Sequence, residues 1–195
     1  MQTAFRSEEQ FTQAEFFDWL QEQPSSDINH YELLGGRIVM TPPAGFPHGA
    51  IEASLCQALG QHIRSRELGI VNGSSAGYDL PSGDTVEPNV SFISPATLAA
   101  GPAPEIGKFY KLVPDLVVEI LSPATSARDG SEKKAIYERN GVDEYWIVDP
   151  RSRNVTVFHL EAGKYGAPTI IHAGSLTSRV LPGLSLQLED LFAGL

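Results

Sequence analysis

The feature that most restricts what this chain can fold into is an acid inside an apolar run. Val117, Val118, Ile120 and Leu121 read as a strand buried on both faces, and Glu119 interrupts them. An ionised carboxylate at the centre of a buried strand costs several kcal/mol, roughly, unless a cation or hydrogen-bond donors receive it. A partner is therefore required nearby. The next segment offers one: Ser131 is placed to cap a helix that carries Glu132 and Lys133 in its first turn and runs to Arg139 before Gly141 stops it. Lys133 is the candidate, and Tyr137, four residues on, shares its helix face and could fix it. Taken alone, a helix lysine is solvent-exposed, so Lys133→Met is expected to change stability by under ~1 kcal/mol.

The string PDLVVEILSP, the pair Arg128-Asp129, the EK of Glu132-Lys133, Tyr137 and GVDEYWIVDP together resemble the Uma-two family, a branch of the PD-(D/E)XK nuclease superfamily. YELLGGRIVM, PPAGFPHG, DTVEPNVSFI and LPGLSLQLEDLF are similar to further landmarks of that family in the same order, so the resemblance covers roughly residues 10 to 195. It implies a restriction endonuclease-like α/β core and magnesium- or manganese-dependent hydrolysis of DNA phosphodiesters, with one or two ions. In that superfamily the first ligand is the Asp of a Pro-Asp pair, the second is the acid of E-x-K, and a lysine completes the site. By this resemblance Glu119 is a metal ligand and catalytic acid, Lys133 the catalytic lysine and Glu32 a further site acid.

Two departures stand out. Leu121 occupies the lysine position of E-x-K, consistent with the family variant in which the lysine has moved to the adjacent helix. The strand before it reads Glu87-Pro88-Asn89, so a neutral amide stands where the first metal ligand should be. Asn89 can offer a carbonyl oxygen to a hard cation, but it lacks the charge. If strands 85–93 and 115–121 lie side by side, positions 89 and 119 face each other across the ~4.8 Å strand spacing. Asp115, in its own Pro-Asp pair, lies about 13 Å from Glu119 along one strand and cannot chelate the same ion; it fits strand positioning or the surroundings of the site. Glu87, ~7 Å from Asn89 on the same face, could compensate only through a water. His48, at a helix start, could orient a phosphate or simply cap the helix. His30, His62, His159 and His172 share no spacing that would make a metal cluster.

A chain of 195 residues with 42% apolar residues can bury a full core, which favours one domain over 1–195 with its core at about 30–160. No apolar run approaches the ~18 residues of a membrane span, and the N-terminus lacks a signal pattern, so a cytoplasmic protein is expected. The single Cys56, in the series Ile51, Leu55, Leu59, reads as a buried small residue and leaves no internal disulfide or zinc ribbon. A net charge of -10 argues against general nucleic-acid affinity, which comes from basic side chains. Placement softens this: seven acids and one Arg fall in residues 1–36, while Lys108, Lys111, Arg128, Lys133, Lys134 and Arg139 gather around the central segment.

Elsewhere, Thr12 and Glu15 predict a capping box for a helix to about Gln23, Gly35-Gly36 a hairpin, and Ile51, Leu55, Leu59 and Ile63 a helix from His48 to Arg66 that covers one sheet face. A strand is expected over Thr85–Ile93, an irregular connection over 94–113, weak strands at 169–172 and 184–188, and a terminal helix at EDLF. Gly73-Ser74-Ser75-Ala76-Gly77 matches the G-x-S-x-G nucleophile elbow, but YDLPSGD continues as strand and turn, not helix, so Ser75 is not expected to act. Strand runs with flanking helices and mixed connections give an α/β sandwich on a mixed sheet. Two further readings follow: a nuclease fold that has lost catalysis and binds DNA or a protein, and, for duplex cleavage, a homodimer.

Overall fold

The computed structural model describes residues 5–122 and 129–195; Arg128 lies outside them. In chain order the elements are β1 (Phe5–Arg6), α1 (Gln13–Gln21), β2 (His30–Leu34), β3 (Arg37–Thr41), α2 (His48–Arg66), β4 (Ile70–Gly73), β5 (Tyr78–Asp79), β6 (Thr85–Val86), β7 (Val90–Ile93), α3 (Pro95–Ala100) and β8 (Leu116–Ile120). There follow a π-helical turn (Asp129–Lys133) that runs into α4 (Lys134–Asn140), then β9 (Glu144–Asp149), β10 (Asn154–Glu161), β11 (Lys164–Tyr165), β12 (Thr169–Ile171), β13 (Ser175–Leu176), β14 (Leu186–Gln187) and α5 (Leu188–Leu191).

The main sheet runs β11-β10-β9-β8-β7-β4, with β12 also on β10. It is mixed: β8 and β9 pair in parallel, and β7 pairs with β8 antiparallel through Val90–Val118 and Phe92–Leu116. The crossover between the two parallel strands carries α4, as a parallel pair demands. A second sheet, β1-β3-β2-β6-β5, packs against the first. The Gly35-Gly36 turn joins β2 to β3 with φ of 59° and 74°, a conformation that glycine adopts without a Cβ penalty.

Strand alternation sends the two halves of β8 to different cores. Leu116, Val118 and Ile120 pack under the fully buried Ile51, Leu55 and Leu59 of α2, each such side chain stabilising by about 1.5–3 kcal/mol. Cys56 sits only half-buried at the edge of this cluster. Val117 faces the other way, into a cluster with Ile136 and Tyr137 of α4 and Leu34, Val39 and Val86 of the second sheet. Glu119, two residues on, points into that second layer, at the junction of α4 with the small sheet.

Several boundaries differ from the sequence expectation. The strand over Thr85–Ile93 is two strands in two sheets, β6 pairing with β2 and β7 with β8. The break falls at Glu87-Pro88-Asn89, because Pro88 has no N–H for a ladder and the Glu87 N–H is taken by the Glu32 carboxylate at 2.8 Å. Within 94–113, Ser94 caps α3 and Pro95 fills its first turn, an N-cap and N1-proline signal that the surrounding prolines and glycines obscure. Ser131 is not an N-cap: it lies inside the π turn. Around Ser75 the chain goes from β4 through a turn to β5 with no helix, and Gly77 is needed because a Cβ there would stand 2.2 Å from the Phe109 ring. The G-x-S-x-G string is a tight strand connection.

Candidate active site

Three elements converge beneath the junction of the sheets. The first is β8, which presents Glu119; the second is β2, which presents Glu32; the third is the turn entering α4, which presents Lys133. Lys133 Nζ lies 2.6 Å from Glu119 Oε1 and 2.8 Å from Glu32 Oε1, and all three side chains are nearly inaccessible, at 3%, 4% and 6% exposure. The expectation of an exposed helix lysine is therefore wrong. Positions 133, 136, 137 and 140 lie on one helical stripe, and the burial of Ile136 and Tyr137 takes Lys133 inward with them.

The spacing suggested that Tyr137 fixes the lysine directly; instead its hydroxyl donates to Glu119 Oε1 at 2.6 Å, the same oxygen that Lys133 meets. Burial first, and then the negative charge of Glu119, push the Tyr137 phenol well above its usual range, so it stays protonated and a donor. One carboxylate oxygen of Glu119 is thus held by an ammonium and a hydroxyl. One oxygen of Glu32 is held by the same ammonium and by the Glu87 N–H.

Asn89 is where the register implied by β7 and β8 puts it, opposite Glu119, but just beyond the end of the ladder. Its Oδ1 accepts the Ile120 N–H at 2.7 Å. That donor fixes the amide orientation, because only the carbonyl end can accept. The other polar atom of Asn89 is an N–H₂ donor, so only the second lone pair of Oδ1 is left for a cation. Asp115 is elsewhere: its carboxylate accepts from Ser94 N at 2.7 Å and from Thr97 Oγ1 at 2.8 Å, tying β8 to the start of α3. It is a scaffold residue, not a neighbour of the ion-paired cluster. His48 opens α2 and lies 4.0 Å from Glu52, one helical turn away.

Glu119, Glu32, Lys133, Asn89 and His48 all line one open cavity of about 180 Å³. Glu52, Glu87 and His30 join them; the sequence reading passed over Glu52, gave Glu87 only a water-mediated part and set His30 aside for want of a shared metal spacing. A signal existed for each: Glu52 is His48 plus four on a helix, His30 is Glu32 minus two on a strand, and Glu87 flanks Pro88-Asn89. Glu87 Oε2 lies 3.3 Å from His30 Nδ1. Burial raises the Glu87 carboxyl above its ordinary value and Glu32 adds to that, opposed by His30 and Lys133. The bond to Glu87, with the charges of Glu87, Glu32 and Glu52, raises His30, opposed by burial.

An acid with a raised folded pKa stabilises the fold most below its ordinary value of 4.5, and that contribution is lost as pH rises through the raised value. His30 behaves alike, its contribution being present below 6.5 and lost above its raised value. As pH rises the ionised Glu87 becomes a cost, and the imidazolium that offsets it is lost as His30 passes its own raised value. Glu87→Gln is expected to raise the melting temperature of metal-free protein by about 2 °C at pH 8, and to change it little at pH 4. A lower melting temperature at pH 8 would mean that Glu87 is stabilised by its surroundings.

Four carboxylates line the cavity beside a single lysine. Among the described residues no three His, Cys, Asp or Glu side chains form a ready cage for an ion. Such a donor set does not suit zinc, which takes three or four protein ligands. It fits a hard cation that keeps most of its water and needs one or two carboxylates, as magnesium and manganese do.

Three of the other cations counted around the central segment are committed to structure. Arg139 pairs with the buried Asp84, Lys108 stands 3.8 Å over the Phe17 ring and Lys134 stands 4.9 Å over Phe158. No helix among the described residues is long and apolar enough to cross a membrane.

No curated protein matches this chain. A solved structure of a "putative nuclease belonging to DUF820" from Anabaena variabilis superposes with a TM-score of 0.75 over 90% of this chain and 96% of that one, at 18% identity. That likeness shows the fold, a restriction endonuclease-like mixed sheet between helices. The family model Uma2, described as "Putative restriction endonuclease", matches residues 13–189, and this protein belongs to that family.

Proposed function

We propose that this protein hydrolyses phosphodiester bonds of DNA with the help of magnesium or manganese. The observation that carries the reading is the buried Lys133 bridging Glu119 and Glu32 in the wall of a cavity where carboxylates outnumber cations. Glu119 would be the first ligand of the ion, with Glu87 supplying the second negative charge and Asn89 its carbonyl oxygen. Bound there, the ion would supply hydroxide at neutral pH and neutralise charge on the phosphate. Lys133 places a positive charge beside the attacked phosphate, and its two ion pairs fix where that charge sits. Tyr137 is a positioning residue that holds the Glu119 carboxylate.

Calorimetric titration with each cation tests this. Millimolar or tighter binding that Glu119→Gln removes, together with cleavage of DNA stopped by a chelator, is the expected result. A specific observation favours a second reading, a nuclease fold that binds without cutting: Asn89 leaves the metal side of the cavity one charge short. Failure of the wild type to bind either cation or to cleave would support that reading. Cutting both strands of a duplex takes two copies of a one-site domain, so the dimer belongs to that activity. Sedimentation at micromolar concentration reads it directly.

A further inference from the structure

The loop between β3 and α2 forms one wall of the acidic cavity and also one wall of a second cavity, of about 540 Å³. The two share Ala44, His48 and Ser122, so they open side by side. At the second stands Phe46, 82% exposed and the most exposed of the nine phenylalanines. Across from the loop is Arg151, on the turn after β9, also exposed. Its guanidinium makes no hydrogen bond or ion pair among the described residues. Its neighbour Asp149 is already occupied, accepting from the Arg151 N–H and from Ser152.

An aromatic face and a guanidinium flanking a phosphodiester-cleaving centre have one natural occupant. We propose that Phe46 is a stacking platform for a nucleobase next to the scissile phosphate, with Arg151 on the adjoining phosphate, and that the substrate is therefore single-stranded or locally unpaired. This rests on the nuclease reading above and narrows its substrate. In a duplex both faces of a base are covered by its neighbours, so an exposed phenyl ring can stack only on a base that is free or turned out. Charge points the same way. A chain of net charge -10 gains little from neutralising a long duplex backbone, whereas stacking needs no charge and a short strand asks for few cations. A single strand also needs one cut, which one copy makes.

Binding is read by fluorescence anisotropy on the full chain with calcium replacing magnesium, using a labelled 12-nucleotide single strand and the same sequence as duplex. Phe46→Ala is expected to weaken single-strand binding roughly 5- to 100-fold and to leave the duplex unchanged, while Phe46→Trp retains it. Arg151→Ala should lower the salt slope by about one. Single-strand affinity unchanged in Phe46→Ala overturns the inference and leaves the nuclease reading standing. Equal weakening for both substrates makes Phe46 a general contact, which also overturns it. Dissociation of a dimer by Phe46→Ala with no change in oligonucleotide affinity would assign the ring to a second copy of the chain instead. Failure of the wild type to bind either substrate removes both readings.

Discussion

Lys133→Met is expected to lower stability by about 3–5 kcal/mol and the melting temperature by about 10 °C. The helix-surface value of under ~1 kcal/mol does not apply, because the ammonium is 3% exposed and its removal strands two buried carboxylates, each with one oxygen facing the missing charge. Removing one partner from a buried charged cluster costs far more than the cluster itself contributes. Removing the charges together should cost much less. Lys133→Met combined with Glu32→Gln and Glu119→Gln is accordingly expected to recover most of the loss, a non-additivity that thermal melts read directly. Lys134→Met is the control: its ammonium lies over the Phe158 ring, a contact of ~1 kcal/mol or less. Cleavage by Lys133→Met should be measured at a temperature where circular dichroism shows the variant folded, and none is expected there. A melting temperature within about 2 °C of wild type would mean that the ion pairs are not formed in solution.

The same side chain marks the limit of what the sequence discloses. Glu119 announces itself, because an acid in a strand of valines and isoleucines has to be received by something, and the following helix carries a cation, Lys133, in its first turn. The helix from His48 to Arg66, the Gly35-Gly36 hairpin and the Thr12–Glu15 capping box are equally local and appear as expected. Long-range matters are less legible. That Glu32 meets Lys133 depends on the small sheet folding over the main one, and no periodicity within β2 encodes that. The division of 85–93 between two sheets hangs on Pro88 together with a hydrogen bond from 55 residues away. The π turn before α4 shifts the helix start past Ser131, since its beginning is set by tertiary packing around Lys133 and not by a capping side chain. Asp115 is the instructive opposite case: a Pro-Asp pair beside the right strand that serves α3.

Asn89→Asp should change the protein in opposite directions with and without the ion. The amide now spends one lone pair of its carbonyl on the Ile120 N–H, which leaves an uncharged second lone pair and an N–H₂ donor. A carboxylate could keep that bond with one oxygen and offer a second, charged oxygen to the same cavity. Without metal this adds a negative charge beside Glu119, Glu32 and Glu87, of which Glu87 is already pushed toward its neutral form by burial and by Glu32. Stability should fall by on the order of 1–2 kcal/mol at pH 8, and the loss should disappear by about pH 4, where the added acid and Glu87 are protonated. With magnesium or manganese the sign reverses, because a neutral ligand atom is replaced by an anionic one. Affinity for the ion should rise about tenfold or more, cleavage should rise with it, and the melting temperature should exceed that of wild type at saturating metal. Melts at pH 8 and pH 4, each with and without ion, separate the two effects. A variant that loses stability equally in all four conditions would show that the Ile120 hydrogen bond is the whole role of position 89, and that the ion is held without it.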